Sequence, residues 1–559
     1  MLIKFTSIAD FTILATVMKI NKYSISYSQT GYFKGLATCY NDGNEKLKSF
    51  YKYTPDIDSF KDVMEDKSKE FINRELLVRV ISDQYLSSGL LDQENYSQIT
   101  KVKIDSLASE NTFTVTTGHQ LCLFTGPLYF LYKIVSTINL SKKLKDKYPH
   151  RDFVPVFWMA SEDHDFAEVN HVNLFGKKIA WESESEGPVG RMHTSTFIKL
   201  LEELEQIIGD HPNALRLMEL FKTAYLNREN LSQSTRCLVH ALFSEYGLVI
   251  VDADDKRLKN EFVSLMSDDI FKGENELIVN NTISNLIESK LVARNKIQVH
   301  PRKINCYYLL DGLRERIEKL DHADLYQVKN TNITFSTLEL KQHLLDYPER
   351  FSPNVVMRPL YQEKILPNLA YIGGPGELSY WFELRDFFEL NKINFPVLIS
   401  RNSLLWIDSS NFSKLNKLNL EFLDLFLPLG QLERKYTRQF SEIAFEKEKE
   451  LINEAFDSLL TKAISIDNTL KTSVEGERIK QLKSIEMIEN KILKAEKAKL
   501  EVSINQINKL KQRLFPNSGL QERHDNFIEF YLKYGDGFIY TLIQNLDPFD
   551  NSFNIIAEQ

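Results

Sequence analysis

The stretch TFTVTTGHQLCLFTGPLYFLYK, residues 112–133, decides the fold. Its first part, TFTVTTG (112–118), is short and rich in β-branched residues, which is typical of a buried strand. A helix is predicted from about Pro127 to Lys147, because its apolar residues recur at helical spacing and its basic end suits the helix dipole. The segment DFVPVFWMA (152–160) is a second apolar strand. Strand, helix and strand in this order predict a βαβ unit with a parallel sheet.

The same pattern recurs further along the chain. YGLVIVDADD (246–255) follows a helical stretch at 214–243, and NFPVLIS (394–400) follows the helix ELSYWFELRDFFEL. These segments predict an α/β fold with a doubly wound parallel-sheet core. We expect this core to occupy residues 1–410 and to carry mainly helical insertions at roughly 180–245 and 260–350.

The composition changes after about residue 410. No proline occurs from Leu432 to Leu514, and Glu, Lys, Ile and Leu dominate. Two series of apolar residues at three- and four-residue spacing predict a coiled-coil domain over 411–515: Ile485, Ile488, Ile492 and Ala495, then Ile504, Ile507, Leu510 and Leu514. Gly476 marks either a turn between two helices or a flaw in one long helix. Pro516 ends the helix, and 516–559 is expected to return to the core.

Charge and cysteine usage exclude several classes of protein. The 559-residue chain has a net charge of -8 and no separate Lys or Arg tract, which disfavours a nucleic-acid partner. Its four cysteines lack CxxC spacing, which argues against a zinc site or disulfide framework and fits a reducing cytoplasm. The N-terminal run FTILATVMKI lacks a basic leading region, so no signal peptide is predicted. No apolar run is long enough to span a bilayer. A soluble cytoplasmic protein is expected.

The turn before the first core helix is the first candidate site. Ligands of open α/β sheets bind beyond the carboxyl ends of the strands. Thr125 is predicted to cap the helix, Gly126 to allow close backbone approach, and Pro127 to occupy the first helical position. Free amides behind the turn would then face an anion. The alternative is a tight turn without a ligand, since neither GxGxxG nor GxxxxGK[ST] is present.

A cluster of charged residues follows the second strand. The sequence EDHD gives Glu162, Asp163, His164 and Asp165, with Glu168 close behind. Carboxylates around an imidazole repel one another unless a cation or a donor offsets them. Such a cluster could hold a magnesium–nucleotide, bind a substrate ammonium or act as a general base. The alternative is a solvated loop that caps the next helix.

The third candidate is AYIGGPGELSYW (370–381), where a glycine-rich turn precedes an aromatic helix. The turn can admit a ligand against the backbone, with Tyr380 or Trp381 as a stacking wall. Arg401, just after the next strand, is placed where it could bind an anion, although an ordinary surface arginine is equally consistent. VDADD (251–255) is better explained as a helix cap, and Cys122 with His119 is a weak nucleophile candidate.

These motifs, in this order, resemble the bacillithiol biosynthesis cysteine-adding enzymes, a family of proposed cysteine ligases. The resemblance spans nearly the whole chain and rests on five stretches: TGHQLCLFTGPLYFLYK, PVFWMASEDHDFAEVNHV, YGLVIVDADD, VVMRPLYQEKILPNLAYIGGPGELSYW and FPNSGLQER. It implies a Rossmann-like core with connecting insertions and a coiled coil used for homodimerisation. The implied reaction joins cysteine to the amine of glucosaminyl malate to form bacillithiol.

The family is also similar to class I aminoacyl-tRNA synthetases and mycothiol cysteine ligases. TGPLYFLYK occupies the place of their GPLHIGH-type signature, with Tyr129 and Tyr132 at the histidine positions and Leu131 at the glycine. No KMSKS-like loop is present. The resemblance implies ATP or another nucleotide as the activating group, with Mg²⁺ as an accompanying ion.

The sequence therefore predicts a ligase that activates the carboxylate of cysteine. Asp163, His164 and Asp165 are expected to orient the amine and remove its proton, or to hold a metal. The residues expected to bind substrate or nucleotide are Thr117, Gly118, Gln120, Thr125, Gly126, Tyr129, Gly373, Gly374, Gly376, Glu377, Trp381 and Arg401. Two alternatives remain open: a nucleotide-dependent transferase with another acceptor, and a non-catalytic binding or scaffold protein of the pathway.

Overall fold

A computed structural model of the chain describes residues 19–90, 98–320, 324–440 and 445–559. The run FTILATVMKI (11–20), from which the absence of a signal peptide is predicted, lies outside these ranges except for its last two residues. None of the helices in the described ranges is both long enough and apolar enough to cross a bilayer.

The described strands are divided among four sheets. In chain order they are β1 (Ile20–Ser26), β2 (Thr112–His119), β3 (Asp152–Met159), β4 (His171–Leu174), β5 (Lys177–Ala180), β6 (Val249–Asp252), β7 (Cys306–Leu310), β8 (Leu313–Lys319), β9 (Leu325–Val328), β10 (Thr334–Ser336), β11 (Phe351–Pro353), β12 (Asn368–Gly373), β13 (Val397–Ser400), β14 (Ser403–Ile407) and β15 (Ser552–Glu558).

Helices connect and surround these strands. In chain order they are α1 (Tyr27–Thr30), α2 (Leu36–Asn41), α3 (Phe60–Lys67), α4 (Arg74–Ser87), α5 (Gln98–Ser106), α6 (Tyr129–Lys147), α7 (Phe166–Val169), α8 (Phe197–Ile208), α9 (Pro212–Leu226), α10 (Leu231–Phe243), α11 (Lys256–Asn260), α12 (Val263–Lys272), α13 (Asn275–Glu288), α14 (Thr337–Asp346), α15 (Arg358–Ile365), α16 (Pro375–Glu383), α17 (Arg385–Leu390), α18 (Ser409–Lys417), α19 (Leu429–Phe440), α20 (Glu446–Ile466), α21 (Lys471–Lys499), α22 (Glu501–Leu514), α23 (Phe527–Tyr534) and α24 (Gly537–Asn545).

The central sheet has the strand order β13-β12-β2-β3-β6, and every neighbouring pair in it is parallel. Strand β2 pairs with β3 over its whole length, from Thr112 opposite Asp152 to His119 opposite Met159. The chain order runs outward in both directions from β2, so the sheet reverses between β2 and β12. The predicted α/β fold with a Rossmann-like parallel core is confirmed, and its topological switch point lies between these two strands.

The core lies on both faces of this sheet. Strands β2, β3 and β12 are buried almost throughout, as expected for parallel strands that are covered by helices on both sides. Helix α6 packs against β2 and β3 and buries polar as well as apolar side chains. The hydroxyls of Ser136 and Thr137 donate to backbone carbonyls four residues earlier, so burying them leaves no unsatisfied group.

The insertion at 260–350 differs from its prediction. Helices α12 and α13 are present, but residues 306–336 form antiparallel strands in the sheet β10-β9-β8-β7-β11. The helical prediction is therefore wrong for this part. In the segment LRERIEK (313–319) the two apolar residues, Leu313 and Ile317, fall on one face of the strand, and the charged residues around them obscure the strand period.

The contacts divide the chain into two compact units. One comprises Met1–Leu405 with Gln521–Ile556, and the other comprises Trp406–Leu520 with Ala557–Gln559. In the second unit, α20 packs along α21. Gly476 lies inside α21, so it is a flaw in one helix and not a turn between two. The break between the two apolar series falls at Leu500, where α21 ends and α22 begins.

Candidate functional site

The loops after β2, β3 and β12 meet at one edge of the sheet, because parallel strands end on the same side. Gly118 is opposite Trp158 near the ends of β2 and β3, and Thr117 is opposite Ile372 near the ends of β2 and β12. The structure thereby brings together three predicted segments: the turn at 117–126, the acidic cluster at 163–165 and the glycine-rich turn at 373–377.

Gln120 connects the first two segments. Its side-chain amide donates to Asp163 Oδ2 at 2.7 Å and to Glu168 Oε2 at 2.8 Å. Burial would raise the pKa of Asp163, but the Gln120 amide, the Arg314 charge and two backbone amides outweigh burial and lower it. Asp163 therefore remains an ionised carboxylate at neutral pH, and it lies in the loop that follows β3.

His164 is exposed and faces Arg314. The Arg314 Nη1 atom lies 3.0 Å from His164 Nδ1. Because a guanidinium can only donate, Nδ1 must accept, and the neutral ring then carries its proton on Nε2. Burial and the Arg314 charge lower the pKa of His164. The open side of this imidazole is a hydrogen-bond donor, so the predicted removal of a proton by His164 does not fit this arrangement.

Asp165 has a local structural role. It is the N-cap of α7 and accepts a hydrogen bond from the Glu168 amide at 3.3 Å. Asp165 thus fits the alternative in which this loop caps the next helix. In the described part of the chain, no three His, Cys, Asp or Glu side chains converge in a way that could hold a metal ion. Mg²⁺ therefore stays a prediction without assigned ligands.

The turn before α6 has a different geometry from the predicted one. The helix begins at Tyr129, so Pro127 precedes it and Thr125 does not cap it. Thr125 lies in a 3₁₀ turn with φ of 68°, and its buried hydroxyl has no hydrogen-bond partner among the residues that the structure describes. Gly126 is required at φ of 65°, since a Cβ there would approach Cys122 Cβ to 2.7 Å.

The amides of this turn are already bonded within the chain. The Gly126 amide donates to the Leu123 carbonyl at 2.8 Å, and the Leu128 amide donates to the Asp525 carbonyl at 2.9 Å. The Phe130 amide donates to the Pro127 carbonyl at 3.0 Å. The prediction that free amides here bind an anion is therefore wrong for these groups.

A residue from the C-terminal part of the chain holds this turn in place. Asn526, which is 1% exposed, donates from its side-chain amide to the carbonyls of Phe124 at 2.9 Å and Gly126 at 2.6 Å. Its own side-chain oxygen accepts from the Ile528 amide at 2.9 Å and caps α23. One buried side chain thus fixes both the turn before α6 and the start of α23.

Arg401 is also bonded within the chain. It is 4% exposed, and its Nη2 atom lies 2.7 Å from Oε1 of the buried Glu522. The other Glu522 oxygen accepts from the Leu404 amide at 3.0 Å. The guanidinium also lies over the Tyr129 ring, 5.1 Å from its centroid. Glu522 compensates the charge of Arg401, so the predicted anion-binding role does not fit, and Arg401 instead supports Tyr129.

Lys133 and Glu377 join the loops after β2 and β12. Lys133, which is 1% exposed, lies 2.7 Å from Glu377 Oε2 and also donates to the Gly118 carbonyl. Glu377 accepts further bonds from the Gly374 amide at 2.9 Å and the Tyr371 hydroxyl at 2.7 Å. Burial alone would raise the pKa of Glu377, but Lys133 and these donors bring it to about 2.

Three further predicted binding residues serve the fold. The buried Thr117 hydroxyl donates to the Ile372 carbonyl at 2.8 Å and ties β2 to β12. A Cβ on Gly373 would approach Leu378 Cδ2 to 2.9 Å, so this glycine allows close packing. Trp381 is fully buried and packs on Tyr371, with the ring centroids 4.7 Å apart. The prediction that Trp381 forms a pocket wall is wrong; Gly376 is exposed, and Tyr380 is the partly exposed aromatic residue of this helix.

Cys122 and His119 do not form a nucleophilic pair. The Cys122 Sγ atom lies 3.8 Å from His119 Nδ1. Burial raises the pKa of the Cys122 thiol to about 12 and lowers the pKa of His119 to about 4. Both groups are neutral at physiological pH, whereas a reactive cysteine needs a thiolate.

Comparison with known proteins gives the family. The N-terminal Rossmann-like domain of bacillithiol biosynthesis BshC matches residues 18–402, and the C-terminal coiled-coil domain of BshC matches residues 404–558. The chain belongs to the bacillithiol biosynthesis BshC family.

Relatives in the BshC family match over nearly their whole length. A Flavobacterium johnsoniae protein named "Putative cysteine ligase BshC" is 44% identical over 95% of this chain and 99% of its own. Proteins of the same name from Christiangramia forsetii and Bacillus mycoides are 42% and 27% identical, over 95% and 94% of this chain and 98% of each relative. The resemblance found in the motifs is therefore confirmed.

The BshC domain boundary and the structural division differ at the C-terminus. Glu522 and Asn526 fall within the match to the coiled-coil domain, yet residues 521–556 belong to the first compact unit of this chain. The Rossmann-like unit of this BshC family member is therefore completed by residues that follow the coiled coil.

Sequence reasoning missed several residues at the edge of the sheet. Lys133 is the last residue of the stretch that pointed to the site, one turn after Tyr129, and Glu522 lies in FPNSGLQER. Both residues lie in stretches on which the resemblance to the family rests. The signal that could have identified them is a charged residue in an otherwise apolar helix or at the end of a motif, since a buried charge needs a partner.

We expect Asn526→Ala to destabilise the fold around the turn before α6. The substitution leaves the carbonyls of Phe124 and Gly126 buried without their donor, at a cost of roughly 1–3 kcal/mol. Urea unfolding gives the free energy, and hydrogen exchange of amides 126–132 locates the effect. The control is Asn281→Ala on the exposed face of α13, which should change stability by less than about 0.5 kcal/mol. Equal stability of the two variants would contradict this role.

We expect the Lys133–Glu377 pair to make the fold sensitive to acid. The pKa of Glu377 falls from 4.5 to about 2 on folding. As pH falls through this range the unfolded chain binds a proton that the folded chain does not, so the free energy of unfolding decreases. We would measure the free energy of unfolding in urea between about pH 5 and about pH 3. Its slope against pH should be smaller for Glu377→Gln than for the parent protein. Exposed Glu288→Gln is the control, and parallel slopes for all three proteins would refute the prediction.

Proposed function

We propose that this chain is a cysteine ligase that forms an amide between the carboxylate of cysteine and the amino group of glucosaminyl malate, giving bacillithiol. The observation that carries the proposal is the 44% identity, over 95% of this chain, to a protein named a cysteine ligase, within a family described by bacillithiol biosynthesis. Small-molecule substrates in the cytoplasm, without a nucleic acid or a membrane, are part of the proposal.

The proposed reaction needs an activated carboxylate, since a carboxylate and an ammonium do not condense spontaneously in water. ATP, with Mg²⁺, is the proposed source of activation and would supply a leaving group on the cysteine carboxyl carbon. The turn amides before α6 and the Arg401 guanidinium are occupied by Leu123, Asp525 and Glu522. These groups do not fit phosphates, so no step is assigned to them.

Asp163 is the residue best placed to bind the attacking amine. It is ionised, held by Gln120 and open to the edge of the sheet. An ionised carboxylate attracts an ammonium and orients the amine once the proton has left. His164 beside it presents an N–H group that can donate to a carbonyl or hydroxyl oxygen of the substrate. Asp163 and His164 would thus position the amine against the carboxyl carbon.

The test is direct synthesis. Purified protein is incubated with L-cysteine, glucosaminyl malate, ATP and Mg²⁺, and thiols are alkylated and measured by mass spectrometry. The expected product is bacillithiol, with release of pyrophosphate or ADP showing how the carboxylate is activated. In a strain that lacks the gene, glucosaminyl malate should accumulate without bacillithiol. Normal bacillithiol in that strain would overturn the proposal.

We expect Asp163→Asn to lower the rate of bacillithiol formation by about a hundredfold, because the neutral amide no longer attracts the ammonium. The measurement is the initial rate in the same assay, with circular dichroism as a check on folding. Asp146→Asn, on the exposed face of α6, is the matched control and should keep the parent rate. An active Asp163→Asn enzyme would remove this residue from the proposed site.

Homodimerisation through the coiled coil is also part of the proposal. Helices α20 and α21 expose several large apolar side chains that a second copy could cover: Leu451, Leu459, Ile466, Ile479 and Met487. Light scattering after gel filtration should give twice the chain mass. Leu459→Glu should lower that mass towards a single chain, and a single-chain mass for the parent protein would contradict the dimer.

A further inference from the structure

Arg358 lies at the topological switch point of the sheet. It begins helix α15 and is partly exposed. A Cβ built on Gly118 would lie 3.7 Å from Arg358 Nη1 and 3.4 Å from the Tyr371 hydroxyl. The guanidinium is also 5.7 Å from the centroid of the Tyr371 ring. Arg358 therefore lies beside the buried Gly118, between the ends of β2 and β12, and is partly exposed at this edge of the sheet.

The hydrogen-bond partners of Arg358 are neutral. Its Nη2 donates to the Tyr380 hydroxyl at 3.0 Å, and its Nη1 donates to Gln362 Oε1 at 3.1 Å. Among the residues that the structure describes, no carboxylate oxygen lies within 4 Å of this guanidinium. Arg401 at the same edge shows the contrast, since Glu522 neutralises it. A guanidinium stays charged in proteins, and a desolvated charge without a counter-charge is unfavourable.

The balance of charge around Arg358 is positive. Glu377 bonds directly to Lys133 and its charge also acts on Arg358, while His119 is neutral because its pKa is about 4. These four groups together therefore carry one positive charge. A single carboxylate would balance this charge, whereas a nucleotide triphosphate carries several negative charges. A guanidinium also matches the planar geometry of a carboxylate.

We propose that Arg358 binds a carboxylate group of a small acidic substrate at the edge of the sheet, where the loops after β2 and β12 meet. Within the proposed function on which it rests, two sources supply this group: the carboxylate of cysteine and the carboxylates of the malyl group. The role of Arg358 is to bind and orient, through a guanidinium that Tyr380 and Gln362 hold in place.

The test is isothermal titration of the full-length protein with L-malate, L-cysteine and inorganic phosphate in separate experiments. We expect at least one of the two carboxylates to bind, and the one that binds identifies the source. Arg358→Gln should weaken that binding by about tenfold or more. Arg358→Lys keeps the charge but loses the planar pair of donors, so its affinity should lie between those of the parent protein and Arg358→Gln. Exposed Arg434→Gln should bind like the parent protein.

Gly118→Ala tests whether the ligand reaches Arg358 past the end of β2. The contacts of the added methyl group, at 3.4 Å or more, are ordinary, so we expect the variant to fold. Because the methyl group would lie 3.7 Å from Arg358 Nη1, it should narrow the approach to the guanidinium and weaken binding by about tenfold. The methyl esters of cysteine and malate lack the charge, so their binding should not change between the parent protein and Arg358→Gln.

Three results would overturn the proposal: no binding of either carboxylate by the parent protein, binding of phosphate alone, or unchanged carboxylate binding by folded Arg358→Gln. If thermal unfolding shows that Arg358→Gln is not folded, unchanged binding by both Arg358→Lys and Gly118→Ala overturns it. Binding that depends on Arg358 without bacillithiol synthesis would instead leave this site standing and refute the proposed ligase reaction.

Discussion

The parallel pairing of β2 with a neighbour on each side determines where every polar residue of the candidate site lies. Because β3 and β12 run in the same direction as β2, the loops that follow all three emerge at one edge. Residues far apart in the chain, such as Gln120 and Asp163 or Lys133 and Glu377, then come within hydrogen-bond distance. If one of these strands ran in the opposite direction, its loop would emerge at the other edge of the sheet, and these residues could not meet.

The charges at this edge are neutralised within the chain to different degrees. Glu377 neutralises Lys133, and Glu522 neutralises Arg401, so these pairs serve mainly to join loops that the backbone alone leaves apart. Asp163 and Arg358 are different, since each has neutral hydrogen-bond partners and access to solvent. Groups that are not hydrogen-bonded to an opposite charge are the ones with capacity left for a ligand.

The fold was predictable because its evidence is local. Strands β2 and β3 and helix α6 follow from the period of apolar residues, and the meeting of Gln120 with Asp163 follows from the rule that parallel strands end at one edge. The antiparallel strand LRERIEK was missed because five of its seven residues are charged, so it shows no alternation of apolar and polar residues. Lys133 and Asn526 were missed for another reason: their partners lie 244 and about 400 residues away, at Glu377 and at the turn before α6. No local pattern encodes such pairs.

The contribution of Asn526 to a turn some 400 residues earlier has a consequence for biosynthesis. At a ribosomal rate of about 5–20 residues per second, on the order of 20–80 s pass between synthesis of the turn and synthesis of the amide that binds it. In about the last third of this interval, after β13 has been made, the nascent Rossmann-like unit has all five strands of its central sheet but not the residues that close the turn. Maturation of the edge is therefore a late event, completed only after the helices of the coiled coil have been synthesised.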